Sequence, residues 1–176
     1  MSQFAVVDSR SFRRRFPRLG HSLTEEEVQI LLDTLVVVEA APGQALHSQG
    51  KETDSLYCIW QGELTAAAHC RGRALSLGQL GPGRYLGVAE LLVPGPAAFT
   101  IRPRTPTLLL RLDHPTLQAL RHDHPRLGSE LLRALFLELV ERLQAFETTL
   151  VDQPLPPGEA AIARLGLTLL TSPEVR

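Results

Sequence analysis

Few residues in this chain have types and spacings that chemistry could use. The stretch GPGRYLGVAELLVPGPAAFTI, residues 81–101, sets glycines ahead of a short apolar turn and a β-like run. Glycine-rich turns entering a helix present backbone N–H groups to an anion. The only charged residues within the stretch are Arg84 and Glu90, with Arg102 and Arg104 just beyond it. The spacing suits an anion, whereas the charges do not. His122 and His124 form an H-x-H pair that can supply two metal ligands, but no third ligand stands at convincing spacing and Pro125 follows at once. That pair reads as an exposed turn, and no metal or cofactor is expected. Cys58 and Cys70 lack a Cys-x-x-Cys partner and read as small packing residues. No G-x-S-x-G, P-loop or paired Cys/His nucleophile occurs, so no catalytic residue is assigned and the chain is read as a non-enzyme.

The elements that must position these residues follow from composition and period. The 176 residues suit one domain with a sizeable core. Formal net charge is −1, which gives no bulk case for nucleic acid. Arg10, Arg13, Arg14, Arg15 and Arg18 against Asp8 leave the first twenty residues at +4 and the remainder at −5. Residues 1–21 are therefore expected to form a solvated basic arm, a possible contact for a partner. Two thiols without a signal-like segment point to a reducing cytoplasm. Lys51 is the sole lysine, an arginine bias typical of GC-rich bacterial genomes. No run of about 18 apolar residues exists, so no membrane span is expected.

SLTEEEVQILLDTL has capping-box spacing at Ser22 and Glu25, with Val28, Leu31, Leu32 and Leu35 on one helical face. The period then changes. VVVEA, QALHS, SLYCIWQ, ELTAAAHC, ALSLGQL, FTIRPRT and TLLLRL are short β-rich runs separated by Gly/Pro/Asp punctuation, and about eight such strands argue for a jelly roll or sandwich. PTLQALRHD predicts a short helix, and HPRLGSELLRALFLELVERLQAFETTL a long one with Pro125 in its first turn. PLPPG then breaks the pattern, leaving residues 151–176 as a linker and tail.

One segment is more specific. In PGQALHSQGKETDSLYCIWQGEL, residues 42–64, the residues Pro42, Gly43, Gly50, Asp54, Leu56, Tyr57, Ile59 and Gly62 fall in the order and spacing of the cyclic-nucleotide-binding domain family. The spacing also has physical sense: Gly50 and Gly62 suit turns needing positive φ, and Tyr57 and Ile59 share one strand face while Cys58 and Trp60 take the other. The resemblance covers residues 23–150 and implies a mainly β fold, an eight-stranded jelly-roll β-roll with an N-terminal helix and a long C-terminal helix, domain 22–150. It also implies that residues 81–101 are the phosphate-binding cassette: Gly87 matches the family glycine and Ala89–Leu92 the short helix. The family glutamate for the ribose falls at Val88, and the arginine for the cyclic phosphate at Ala97. Hydrogen bonds to charged groups contribute about 1.5–3 kcal/mol each. Losing both anchors costs roughly 3–6 kcal/mol, about two to four orders of magnitude in affinity. The candidate binding residues are Gly87, Val88, Ala89, Glu90, Leu91, Ala97, Ala98 and Phe99, with Arg84, Arg102 and Arg104 as anion contacts. Parity puts Arg102 and Arg104 on the face of Thr100 without fixing whether that face is inside.

The long helix carries Leu132, Phe136, Leu139, Leu143, Phe146 and Leu150 at spacings of 4, 3, 4, 3 and 4, an a/d seam. Transcription factors resembling this fold dimerise through the equivalent helix, so a homodimer is expected. Leu131 and Leu135 supply a second stripe for packing on the β-roll. A jelly roll with a histidine is also similar to the metal-dependent cupins, but His47, Gln49 and Glu52 give one imidazole, one amide and a misplaced carboxylate. The reading is a regulatory sensor domain that binds standard cyclic nucleotides weakly or not at all and takes another small molecule. A ligand-free interaction module docking on a protein partner is the alternative. A DNA-binding regulator ranks lower, because the 26 residues after Leu150 are too few for a helix-turn-helix unit.

Overall fold

The structure, a computed structural model, describes residues 6–70 and 73–152, and the side chains of these except 70, 73, 74 and 145–152. The tail beyond residue 152, and the side chains of Cys70, Phe146 and Leu150, lie outside the described residues.

The described residues begin with three helices: α1 (Ser9–Arg15), α2 (Pro17–Ser22) and α3 (Glu25–Thr34). Nine strands follow among them: β1 (Val36–Ala40), β2 (Glu52–Thr53), β3 (Ser55–Gln61), β4 (Leu64–Cys70), β5 (Arg73–Leu80), β6 (Tyr85–Leu86), β7 (Gly95–Pro96), β8 (Thr100–Pro103) and β9 (Thr107–Asp113), with α4 (Val88–Leu92) between β6 and β7. Helices α5 (His114–Asp123) and α6 (Pro125–Asp152) come after β9. The strands pair antiparallel as one sheet of order β1-β9-β3-β6, a second of order β5-β4-β8, and the short pair β2-β7. This is the mainly β roll with flanking helices that the strand pattern predicted. Among the described residues no helix is long and apolar enough to cross a membrane.

The period of two in β3 decides where the core sits. Leu56, Cys58 and Trp60 point to the helices and join Phe12, Phe16, Leu31, Leu110, Leu112, Leu117, Leu131 and Leu135 in one buried cluster. Ile59 points between the sheets, with Leu64, Leu77, Leu80, Leu86, Ile101 and Leu109, and Tyr57 packs against that group. Both faces of β9 are buried along Thr107–Leu110, which is why LLL reads as a continuous apolar run there rather than an alternation.

Three expectations need correction. The basic arm is largely structure: Asp8 caps α1, and Phe12, Phe16 and Leu19 are buried in the helix-side cluster. Three of its arginines are engaged within the fold. Arg13 donates to the carbonyls of Gly20 and Leu23, the Arg15 guanidinium lies 4.7 Å from the Trp60 ring centroid, and Arg18 pairs with Glu141. Burying three large apolar side chains outweighs the charge-run signal. The capping box is Thr24 with Glu27, not Ser22 with Glu25, because Ser22 ends α2 and donates its hydroxyl to the Leu19 carbonyl. The spacing S/T-x-x-E occurs twice in SLTEEE, and only the second copy starts a helix. QALHS is not a strand. It meets β8 through one bridge, His47 with Ile101, while the Gln49 N–H donates to the Thr100 hydroxyl and the Gly50 N–H to the Ala97 carbonyl.

Candidate ligand cavity

Gly87 sets the geometry of the site. It caps α4 at φ 74°, and a Cβ there would stand 2.0 Å from the Ser55 carbonyl oxygen. Only glycine permits both the left-handed turn and that close approach. The turn aims α4 so that Val88 and Leu91 are buried while Ala89 is exposed and Glu90 half-buried. At its C-terminal end the Leu91 carbonyl accepts from His114 Nδ1 at 2.7 Å, which ties α4 to α5 and fixes the proton on Nδ1. The other imidazole nitrogen accepts from the Gln118 amide at 3.2 Å.

Between α4, β8, the loop at His47 and α6 lies a cavity of about 270 Å³. Leu86, Gly87, Val88, Ala89, Ala98, Phe99, Ile101, Leu139 and Leu143 line it, together with His47, Glu90 and Arg142. That volume falls just below the ~300–1,000 Å³ of common small-molecule sites. Six of the residues expected from the cassette are therefore in the lining: Gly87, Val88, Ala89, Glu90, Ala98 and Phe99.

Leu91 and Ala97 are not in the lining. Leu91 belongs to the helix-side core, and buried Ala97 is held by backbone bonds from its N–H to Lys51 and from the Gly50 N–H to its carbonyl. Nor do the three candidate anion contacts line the cavity. Arg102 is exposed and donates to the Gly43 carbonyl at 2.8 Å, and Arg104 is exposed and bonds Gln79 and Glu63. Arg84 precedes Tyr85, and its carbonyl takes the Ile59 N–H.

The arginine that does line the cavity comes from α6. Arg142 and Glu138 are only 8% and 7% exposed. Arg142 Nε and Nη2 donate to one Glu138 oxygen at 3.1 and 2.9 Å, and Nη2 also donates to the Tyr85 carbonyl at 2.8 Å. The remaining Nη1 has no hydrogen-bond partner among the described residues. Glu138 also faces Arg18 of α2 at 3.8 Å. The sequence signal was an i, i+4 Glu–Arg pair on an amphipathic helix, which usually lies on a solvated face. Here the turn of α6 that carries it faces β6.

His47, which the sequence offered only as a cupin-type ligand, lines the cavity, and its buried Nδ1 has no hydrogen-bond partner among the described residues. Burial pushes its pKa below the ordinary imidazole value, and the carboxylate of Glu90 opposes that shift. Gln49 and Glu52 do not join it: the Gln49 side-chain carbonyl accepts from the His69 N–H at 2.6 Å, and Glu52 is exposed on β2. His122 and His124 are exposed. Among the described residues no three His, Cys, Asp or Glu side chains could hold a metal ion. Cys58 is fully buried, and burial pushes its thiol up to about 12.

On α6, Leu131 and Leu135 are buried, as their stripe predicted. Of the other stripe, Phe136 and Leu143 are 62% and 52% exposed, while Leu132 and Leu139 pack partly against the helix-side cluster. Leu139 and Leu143 thus serve the cavity wall as well.

Comparison with known proteins agrees with this architecture. The family model described as "Cyclic nucleotide-binding domain" matches residues 37–124, half of the chain. Patatin-like phospholipase domain-containing protein 6 of Pongo abelii is 29% identical over 106 residues, 60% of this chain and 8% of that protein. The HTH-type transcriptional regulator Cmr of Mycobacterium tuberculosis is 28% identical over 143 residues, 81% of this chain and 57% of the regulator. The chain thus spans only a small part of the phospholipase and little over half of the regulator. Among solved structures, the N-terminal domain of a transcriptional regulator from Streptomyces coelicolor superposes with a TM-score of 0.65 at 28% identity, covering 80% of this chain and 95% of that one.

Proposed function

The chain belongs to the cyclic nucleotide-binding domain family, and we propose that within it the chain is a non-enzymatic regulatory sensor whose ligand is not a standard cyclic nucleotide. The observation that carries this reading is the charge of the cavity. In this reading valine and alanine take the two cassette anchors, and the one arginine in the lining among the described residues is already paired with a buried carboxylate. A cyclic phosphate entering there would meet a neutralised cation and the Glu90 carboxylate. Its binding would lack the roughly 1.5–3 kcal/mol that each charged hydrogen bond supplies.

The signalling route follows from what the cavity walls touch. A ligand against α4 shifts the Leu91 carbonyl and its bond to His114 on α5, and a ligand against Arg142 shifts α6 and the Tyr85 backbone together. Differential contacts with two positions of α4 are what such a response requires. Phe136 and Leu143, exposed on one side of α6, support a homodimer as the reader of that shift. The site is reached from a cytoplasmic, bacterial setting in this reading.

Isothermal titration with cyclic AMP and cyclic GMP from micromolar to millimolar tests the reading. Silence through millimolar is expected, and micromolar saturation would refute it. A ligand-free docking module is the second reading, favoured by the same exposed α6 side chains. The regulator relatives also make an effector region of a transcription factor a third, read by salt-dependent retention on DNA.

A further inference from the structure

The cavity lining divides into an apolar wall and three polar groups whose charges do not balance. Leu86, Val88, Ala98, Phe99, Ile101 and Leu139 make the wall. Arg142 is cancelled by Glu138, with both side chains about nine-tenths buried. Glu90, half-buried on α4, has no ion-pair partner among the described residues. His47 is held toward its neutral form by burial and offers a buried Nδ1 with no partner. Among the described residues the lining therefore holds one carboxylate outside any ion pair and one imidazole nitrogen without a partner.

An unpaired carboxylate at the wall of an apolar cavity repels an anion and attracts a cation, and the low local dielectric strengthens both effects. In the tautomer with its proton on Nε2, the imidazole Nδ1 is an acceptor, which suits an N–H donor. The volume of about 270 Å³ accommodates one ring with a short side chain.

We propose that this cavity selects an amphipathic amine, a protonated primary amine on a single-ring apolar body, with the ammonium at Glu90 and His47 and the ring against Phe99, Ile101 and Leu139. The proposal rests on the reading of the cavity as a ligand site and names the chemical class it takes. It inverts the charge preference expected of a site for a cyclic phosphate.

The test is calorimetric titration and thermal shift on the full chain with three near-isosteric probes, 2-phenylethylamine, 2-phenylethanol and phenylacetate, and with cyclic AMP alongside. The amine is expected to bind about tenfold or more tightly than the alcohol, and the carboxylate most weakly. In Glu90→Gln the amine is expected to fall to the affinity of the alcohol, with the melting temperature of the unliganded protein unchanged because the side chain is only half-buried. Phenylacetate binding best, or an amine preference that survives Glu90→Gln, overturns the proposal while leaving the cavity a ligand site. Micromolar binding of cyclic AMP overturns the functional reading beneath it as well. No binding by any of the four probes overturns the amine proposal and favours the docking module.

Discussion

Removing Glu138 should be among the most damaging single changes at this site, and its cost follows from burial. The Glu138 and Arg142 side chains keep only 10% and 9% of their exposure, and Glu138 accepts from both Nε and Nη2. In Glu138→Leu the guanidinium keeps the Tyr85 carbonyl at 2.8 Å but loses its counter-charge. Breaking one partner out of a buried pair typically costs about 3–5 kcal/mol. At roughly 2–4 °C per kcal/mol for a chain of this size, the melting temperature should fall by roughly 6–20 °C. Replacing both, Glu138→Leu with Arg142→Met, removes two desolvation penalties together and should restore stability to within about 1 kcal/mol of the parent. Arg18 lies 3.8 Å from Glu138, so Arg18→Met belongs in the set as the third member. Urea unfolding of the three single variants and the double variant measures the coupling directly. A loss below about 1 kcal/mol in Glu138→Leu, the range of exposed pairs, would mean that water reaches the pair. Arg142 would then not stand neutralised at the cavity wall.

Four further outcomes follow from the same geometry. Gly87→Ala should cost roughly 3 kcal/mol or more, because its Cβ meets the Ser55 carbonyl oxygen, while Gly50→Ala, at a similar φ with nothing within 4 Å, should cost only about 1–2 kcal/mol; equal losses in urea unfolding would contradict the close approach. With Cys70→Ser leaving Cys58 as the only thiol, a disulfide reagent at pH 8 should label the protein only after denaturation, since the buried thiol titrates near 12. His47 has its folded pKa below its unfolded value, so its stabilising contribution is present above pH ~6.5 and is lost as pH falls through the folded pKa; His47→Gln should flatten that part of the stability–pH curve, and an unchanged curve would count against a buried neutral imidazole. Val88→Glu with Ala97→Arg should gain about two to four orders of magnitude in cyclic-nucleotide affinity. Both positions are buried, so unfolding is measured alongside, and a folded double variant with no gain would sink the alignment of the cassette.

The roll, the limits of most strands, the split of Tyr57 and Ile59 from Cys58 and Trp60, the short helix Val88–Leu92 and the turn at Gly87 were all legible in the sequence. Each depends on local rules: the period of two along a strand, a glycine where φ must be positive, a proline in the first turn of a helix. Tertiary structure decided which charges meet the cavity. Arg102 and Arg104 lie within a few residues of the cassette but turn outward to Gly43, Glu63 and Gln79. Arg142, more than forty residues away in sequence, arrives on a turn of α6 laid against β6. The basic arm shows the same limit, since its run of arginines announces a solvated segment until Phe16, with Phe12 against it, meets Trp60 and Tyr85 across the fold. Periodicity specifies which face of an element is apolar, but which neighbour covers that face, and which side chain shares a pocket with which, depends on packing between segments distant in the chain. For that reason the sequence could place valine at 88 and alanine at 97, and only the folded chain could show that the arginine in the cavity was already paired.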